Sequence, residues 1–201
     1  MVSALLAVAL STAATATAAE IDALGYKWDA PDAKEWSASS GPALIMLAKR
    51  PPVEPPRRPV QFALAKTPAF KKVTIDVDVK RTQKGKSLIL VYAWQDANHF
   101  NYAHLSADEG TKVAVHNGIF HVYGGDRVRI SDPAGPASLP SEDWHHVRLS
   151  WDGRTGRCEV RVDGKPIPSL VGVDLSLKSG RVGLGSFFET ADFRNLKIRG
   201  E

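Results

Sequence analysis

The sequence predicts an all-β protein, a two-sheet antiparallel jelly-roll sandwich with few and short helices. Three observations predict it. Past residue 70, apolar and polar residues alternate with period two almost throughout, the spacing that turns one face of a strand inward and the other outward. The alternating runs are short and separated by turn chemistry: Asp96-Ala97-Asn98, Asn117-Gly118, Asp152-Gly153 with Thr155-Gly156, and Asp163-Gly164. No stretch beyond the N-terminal segment carries a long apolar stripe at helical spacing. About ten short antiparallel strands in one unit need two packed sheets to bury their apolar faces.

The elements follow in order. Residues 1–19, MVSALLAVALSTAATATAA, contain no charge and no aromatic ring. The apolar run from Val2 to Leu10 is shorter than the roughly 20 residues a membrane-spanning helix needs. Ala16-Thr17-Ala18 and Ala19 form the small-residue pattern at which signal peptides are cut, although no Lys or Arg precedes the run. Residues 1–19 are therefore expected to be a signal peptide and residues 20–201 a single secreted or periplasmic domain, with no membrane span in the mature chain. An uncleaved anchor or a buried N-terminal helix is the alternative. Trp36 and Leu44 to Leu47 are expected to add strands. In Pro51 to Pro59, five of nine residues lack a backbone donor, so this is a stiff connector inside the domain rather than a strand.

The alternating strands begin with Thr74 to Lys80, which turns Ile75, Val77 and Val79 inward. Ser87 to Trp94 reads as a more fully buried strand. It is followed by His99 to Leu105, Lys112 to His116, Ile119 to Tyr123 and Arg127 to Ser131. His145 to Trp151, Cys158 to Val162, Arg181 to Ser186 and Phe193 to Arg199 complete the set. Asn117-Gly118, between two alternating runs, is the strongest hairpin signal.

Composition narrows the class. With 43% hydrophobic and 24% charged residues, collagen-like, coiled-coil and wholly disordered chains are excluded. The single Cys excludes an intramolecular disulfide framework and Cys-rich metal clusters. Cys158 shares a strand face with Val160 and Val162 and is expected to be buried and unpaired. The net charge of +4 is spread over 26 basic and 22 acidic residues and says little about partners. The basic pairs, including Lys71-Lys72 and Arg127 with Arg129, do not interleave with exposed aromatics, so a nucleic-acid partner is not expected.

Histidine clustering is the most suggestive chemical feature. Phe100, Tyr102 and His104 share one face of their strand, and His99 and Asn101 the other. A Tyr–His row suits sugar binding, because a ring stacks on a pyranose while imidazole bonds its hydroxyls. The competing reading makes them half-buried sheet residues satisfied by neighbours, and His145, aligned with Val147 and Leu149, is read as core-facing. No H-x-H or H-E-x-x-H spacing is present, so no metal site is expected. Asp96, Asn98 and Asp108-Glu109 are the loop oxygens available to calcium, without the dense acidic spacing that would specify it. Asp76 and Asp78 alternate on one strand without a companion Glu and read as a solvated face.

Two segments carry a family resemblance. The first is Trp144-His145-His146-Val147 through Ser150-Trp151, then Gly156 to Val162 and Asp163-Gly164. The second is Gly180-Arg181-Val182-Gly183-Leu184-Gly185-Ser186-Phe187, ending in Ala191-Asp192-Phe193-Arg194-Asn195-Leu196. Asp96-Ala97-Asn98-His99-Phe100-Asn101-Tyr102-Ala103-His104-Leu105 adds a third. Together they resemble the concanavalin A-like lectin/glucanase superfamily, and within it the laminin G-like domains known as 3-keto-disaccharide hydrolases, over roughly residues 30–200. The resemblance implies a jelly roll whose concave face and rim loops bind glycans. It does not extend to the E-x-D-x-E motif of family 16 glucanases: Glu20-Ile21-Asp22 begins like it, but Leu24 stands at the third position.

The leading expectation is an exported domain binding an oligo- or polysaccharide, with Trp94, Tyr102 and His104 as platform and Asp96, His99 and His116 as polar contacts. The enzymatic alternative is cleavage of a 3-keto-disaccharide, where the hydrogen beside the ketone is acidic enough for one general base, His104 or His99. A purely structural laminin G-like interaction module is the third class. No cofactor is expected, calcium aside.

Overall fold

The computed structural model describes residues 19–38, 43–47, 50, 54–82 and 86–201. Most of the expected signal segment, Pro51 to Val53 of the Pro-rich connector, and residues 83–85 lie outside the described residues. Among the described residues, no helix is long and apolar enough to cross a membrane.

Two antiparallel sheets form the sandwich. The first has eight strands, in the order β1 (Ala19–Ala23), β2 (Tyr26–Ala30), β5 (Gln61–Ala65), β14 (Arg181–Ser186), β7 (Ser87–Asp96), β8 (His99–Ser106), β9 (Gly118–Tyr123) and β10 (Val128–Arg129). The second has seven, in the order β13 (Lys165–Val173), β12 (Arg157–Val162), β11 (His145–Asp152), β6 (Lys72–Arg81), β15 (Ala191–Gly200), β4 (Ala43–Met46) and β3 (Trp36–Ala38). Alternation does what the sequence predicts. Val73, Ile75, Val77 and Val79 of β6 meet Leu88, Leu90 and Tyr92 of β7 in one core, where the Tyr92 and Trp151 rings lie 5.6 Å apart. Cys158 is buried there as a free thiol.

The eight-stranded sheet is apolar on its outer face too, where Phe62, Leu64, Ile89, Val91, Phe100, Tyr102, Phe120 and Val122 form a second buried cluster. Such a face needs a cover. The segment from Glu54 to Val60 supplies part of it, tied down where the Arg57 N–H donates to the Asp126 carboxylate and the Arg127 N–H to the Arg57 carbonyl. The outer face of the other sheet is charged. Asp76, read as part of a solvated face, is only 4% exposed, because the guanidinium groups of Arg148 and Arg199 lie over it as hydrogen-bond donors.

Several local expectations change. Lys112 to His116 is not a strand: a 3-10 turn at Gly110–Lys112 leads into one helical turn, α1 (Val113–His116). Asn117-Gly118 is accordingly not a hairpin turn. The buried Asn117 side chain accepts from the Ser106 N–H and the Ser138 hydroxyl and donates to the Asp108 carbonyl, so it stitches loops together. Of Arg127 to Ser131, only Val128–Arg129 form a strand, β10, and Ser131 makes an isolated bridge to Gly172. Three unforeseen strand regions appear: the β1–β2 hairpin, β5 and β13. The β1–β2 turn passes through Leu24 and Gly25, both with positive φ (58° and 77°), the conformation of a tight right-twisted hairpin. His145 is core-facing as expected, with Nδ1 2.8 Å from the Asp163 carboxylate and Nε2 3.1 Å from the Ser141 hydroxyl.

Candidate functional site

Strand β8 places the central side chains. Its alternation turns Ala103 and Leu105 into the core and Phe100, Tyr102 and His104 onto the outer face. Tyr102 is completely buried there, its ring stacked on Phe120 at 5.4 Å and 14°. Burial pushes its phenol well above the usual range. Its ring is thus a wall of the face rather than an open platform.

His104 is 1% exposed and packs parallel to the Phe187 ring at 6.0 Å, with His116 edge-on at 5.5 Å. Burial, reinforced by the neighbouring positive charge of Arg127, His116 and Arg129, holds its imidazole well below the ordinary histidine range. The ring is therefore neutral. Its Nδ1 lies 3.2 Å from Nη1 of Arg127, and a guanidinium can only donate, so Nδ1 is the acceptor and the proton resides on Nε2. That Nε2–H is buried and, among the described residues, has no hydrogen-bond partner. His104 is therefore set as a donor, and it has no free basic nitrogen.

His116 is the complementary case. Helical turn α1 carries it beside His104, and its Nδ1 pairs with Oδ2 of Asp108, a carboxylate only 8% exposed. The pair fixes the ring and leaves Nε2 as the open nitrogen. Arginines hold the turn in place. Arg127 is sandwiched between Phe120 and Phe187, at 4.6 and 4.8 Å from their centres, and donates to the Val115 carbonyl. Arg129 donates to the carbonyls of Val113, Ala114 and Asn117 at the end of the turn, the Val113 carbonyl also accepting the Asn117 N–H. Gly118 leaves room beneath it: a Cβ there would stand 2.3 Å from the Arg129 guanidinium, which would have to shift.

His104, His116, Asp108, Arg57, Arg127 and Phe187 line a cavity of about 150 Å³. Glu189 closes one side, accepting from the Lys86 and Ser87 backbone N–H groups. A wider cavity of about 670 Å³ opens on the same face between Phe62, Leu64, Trp94, Arg58 and Arg181. Adjacent residues of one segment, Arg57 and Arg58, thus line different cavities.

Of the side chains expected to act together, His104 and His116 meet in the small cavity and Trp94 lies in the wide one. His99 and Asp96 join neither. They form a pair at the β7–β8 turn, His99 Nδ1 standing 2.9 Å from both Asp96 oxygens and its ring edge-on to Tyr123 at 4.7 Å. Five strand residues put His99 about 17 Å from His104. The hydrogen bonds from His99 and the Asn98 N–H hold the Asp96 carboxyl below its ordinary range. Among the described residues, no group of three or more His, Cys, Asp or Glu is placed to hold a metal ion. Sequence reasoning missed Arg57, Arg127 and Phe187 as site residues. Their only signals were a basic pair inside the Pro-rich connector and a basic pair near a hairpin.

The fold and these cavities define a jelly-roll β-sandwich with a partly roofed polar recess on the outer face of one sheet. Within that class the chain belongs to the 3-keto-alpha-glucoside-1,2-lyase-like domain family, whose model matches residues 27–199. Among curated protein sequences, none matches. Solved structures share the fold at low identity. Carbohydrate binding module CBM66 from Bacillus subtilis is 15% identical with a TM-score of 0.57, covering 91% of this chain and 92% of that one. A putative glycosyl hydrolase from Parabacteroides distasonis is also 15% identical, with a TM-score of 0.56 and coverage of 87% and 99%. The GH43 protein BlXynB from Bacillus licheniformis, as a mutant, reaches a TM-score of 0.61 at 12% identity, but only 38% of its length is covered.

Proposed function

We propose that this chain is an exported saccharide-binding domain whose small cavity holds a sugar ring. The observation that carries the reading is the His104 Nε2–H, a buried donor with no partner among the described residues, at the wall of a cavity otherwise built of charged groups. Buried donors are almost always satisfied, and a sugar hydroxyl or ketone oxygen is an acceptor of the right kind. Arg57 and Arg127 add donors, and Asp108 with His116 adds an acceptor edge. Membership of a family described by a ketoglucoside supports the substrate class. Titration calorimetry of the purified protein with glucosides and 3-ketoglucosides tests it. Arg127→Met and His116→Ala should each weaken binding about tenfold or more, as expected for loss of a charged or well-ordered hydrogen bond. Affinities unchanged in both variants would contradict the assignment.

The pairing of His116 with Asp108 favours a second reading, in which the bound 3-ketoglucoside is also cleaved. The ketone makes the C2 hydrogen acidic. In a 1,2-elimination a base takes that proton, the C1–O bond breaks, a C1–C2 double bond forms, and the departing oxygen is protonated. His116 Nε2 is the available base, since its Nδ1 is held by a carboxylate. His104, earlier the expected base, would instead donate to the developing enolate oxygen. Asp108→Asn separates the two readings. It should depress turnover far more than affinity, whereas a pure binding site would show no turnover in either protein.

A further inference from the structure

The wide cavity carries a feature that the small one does not explain. Its arginines are unequally matched. Arg50 is held by both carboxylate oxygens of Glu35, at 2.6 and 2.7 Å. Arg181 is held by Asp29 at 2.7 Å and by the Ala65 carbonyl. Among the described residues Arg58 has neither counter-ion nor hydrogen-bond partner, and its Nη1 is screened from solvent. A second donor in the same cavity is in the same condition: the indole Nε1–H of Trp94 is buried and, among the described residues, unpaired. Two unanswered donors, one of them cationic, stand beside the apolar surfaces of Phe62, Leu64 and Trp94.

From this arrangement we infer that the wide cavity is a subsite for the carboxylate of an acidic sugar, a hexuronic acid ring. The ring has an apolar face for Trp94, Phe62 and Leu64 to cover. Its carboxylate supplies the counter-charge that the Arg58 guanidinium in the cavity lining lacks among the described residues. The Arg181 guanidinium, 5.6 Å from the centre of the Trp94 ring, keeps the site electropositive while remaining paired with Asp29. A neutral sugar leaves Arg58 without a counter-charge. The inference rests on the saccharide reading above and specifies the charge of a neighbouring ring. Arg57 and Arg58 connect the two cavities along one segment, so adjacent units of a single chain would occupy them.

The test uses trigalacturonate and its neutral methyl ester, titrated calorimetrically into the full chain at low and high salt. The acid should bind at least tenfold more tightly than the ester and lose that advantage as salt rises. Arg58→Gln should remove the preference without changing affinity for the ester, and Arg58→Lys should restore part of it. Trp94→Phe, which keeps a ring but deletes the N–H, should weaken the acid by a smaller factor. Equal binding of acid and ester, or an undiminished preference in Arg58→Gln, overturns the acidic subsite while leaving a neutral saccharide reading intact. Binding of benzoate but not of the uronate also overturns it. If neither the acid, the ester nor a 3-ketoglucoside binds, the saccharide reading falls with it.

Discussion

A buried neutral histidine makes the stability of this fold depend on pH in a predictable direction. His104 is 1% exposed, and burial first, then the adjacent Arg127, holds its pKa well below 6.5 in the folded protein. In the unfolded chain the ring recovers its ordinary value near 6.5. As pH falls below that value the unfolded state takes up a proton that the folded state refuses. The contribution of His104 is therefore present above pH 6.5 and is lost as pH falls toward its folded pKa. For one proton the slope is at most about 1.4 kcal/mol per pH unit. The loss accumulates at up to that rate for as long as the folded ring stays neutral, against a typical total stability of about 5–15 kcal/mol. Urea unfolding across this range, compared between wild type and His104→Gln, isolates the effect. Gln can still accept from Arg127 but does not titrate, and contributions from the other ionisable groups cancel in the difference. The two curves should run parallel above about pH 7 and separate as pH falls below 6.5, the wild type losing stability faster by up to the full His104 slope. Curves parallel over the whole range would refute the claim that this ring is buried as a neutral donor.

Other outcomes follow from the same geometry. Burial pushes the Cys158 thiol up to about 12, so iodoacetamide should leave the native protein unlabelled and react only after unfolding. Rapid native labelling, followed by mass spectrometry, would place the thiol outside the core. Gly118→Ala forces a Cβ to within 2.3 Å of the Arg129 guanidinium and should cost about 2–3 kcal/mol through lost charged hydrogen bonds. Urea midpoints read the effect, and an unchanged midpoint would mean that Arg129 moves aside freely. Asp76→Ala leaves Arg148 and Arg199 facing each other on the outer sheet and should lower stability by about 1–2 kcal/mol. That loss should shrink at high salt, because both arginines are more than half exposed.

Much of the fold was legible because most strands bury one face and expose the other. β11 is the plain case, with His145, Val147, Leu149 and Trp151 inward and their neighbours outward. Where that contrast vanished, so did the signal. In β5, Gln61–Ala65, every residue is buried because both sheet faces are covered. In β13, Pro166 and Pro168 argue against a strand, yet the strand lies at the sheet edge, where missing donors are tolerated. Asn117-Gly118 misled because the Asn amide serves loops distant in sequence and the Gly makes room for Arg129. For the site, alternation correctly put Tyr102 and His104 on one face, but what covers that face comes from Arg57, Arg127 and Phe187. Period and spacing are local quantities, and neither reports which remote segment closes over a sheet. The same limit made His99, half-buried at the start of β8, look equivalent to His104.

In the proposed function a sugar ring occupies the cavity lined by His104 and His116. Proton–nitrogen NMR of the imidazole side chains during titration with a 3-ketoglucoside tests it directly, since the chain has 6 histidines. The His104 Nε2–H signal should shift as its donor gains an acceptor, His116 should shift with it, and His99 at the far turn should stay still. A saturating ligand that leaves His104 and His116 unmoved, or that moves His99 instead, would contradict it.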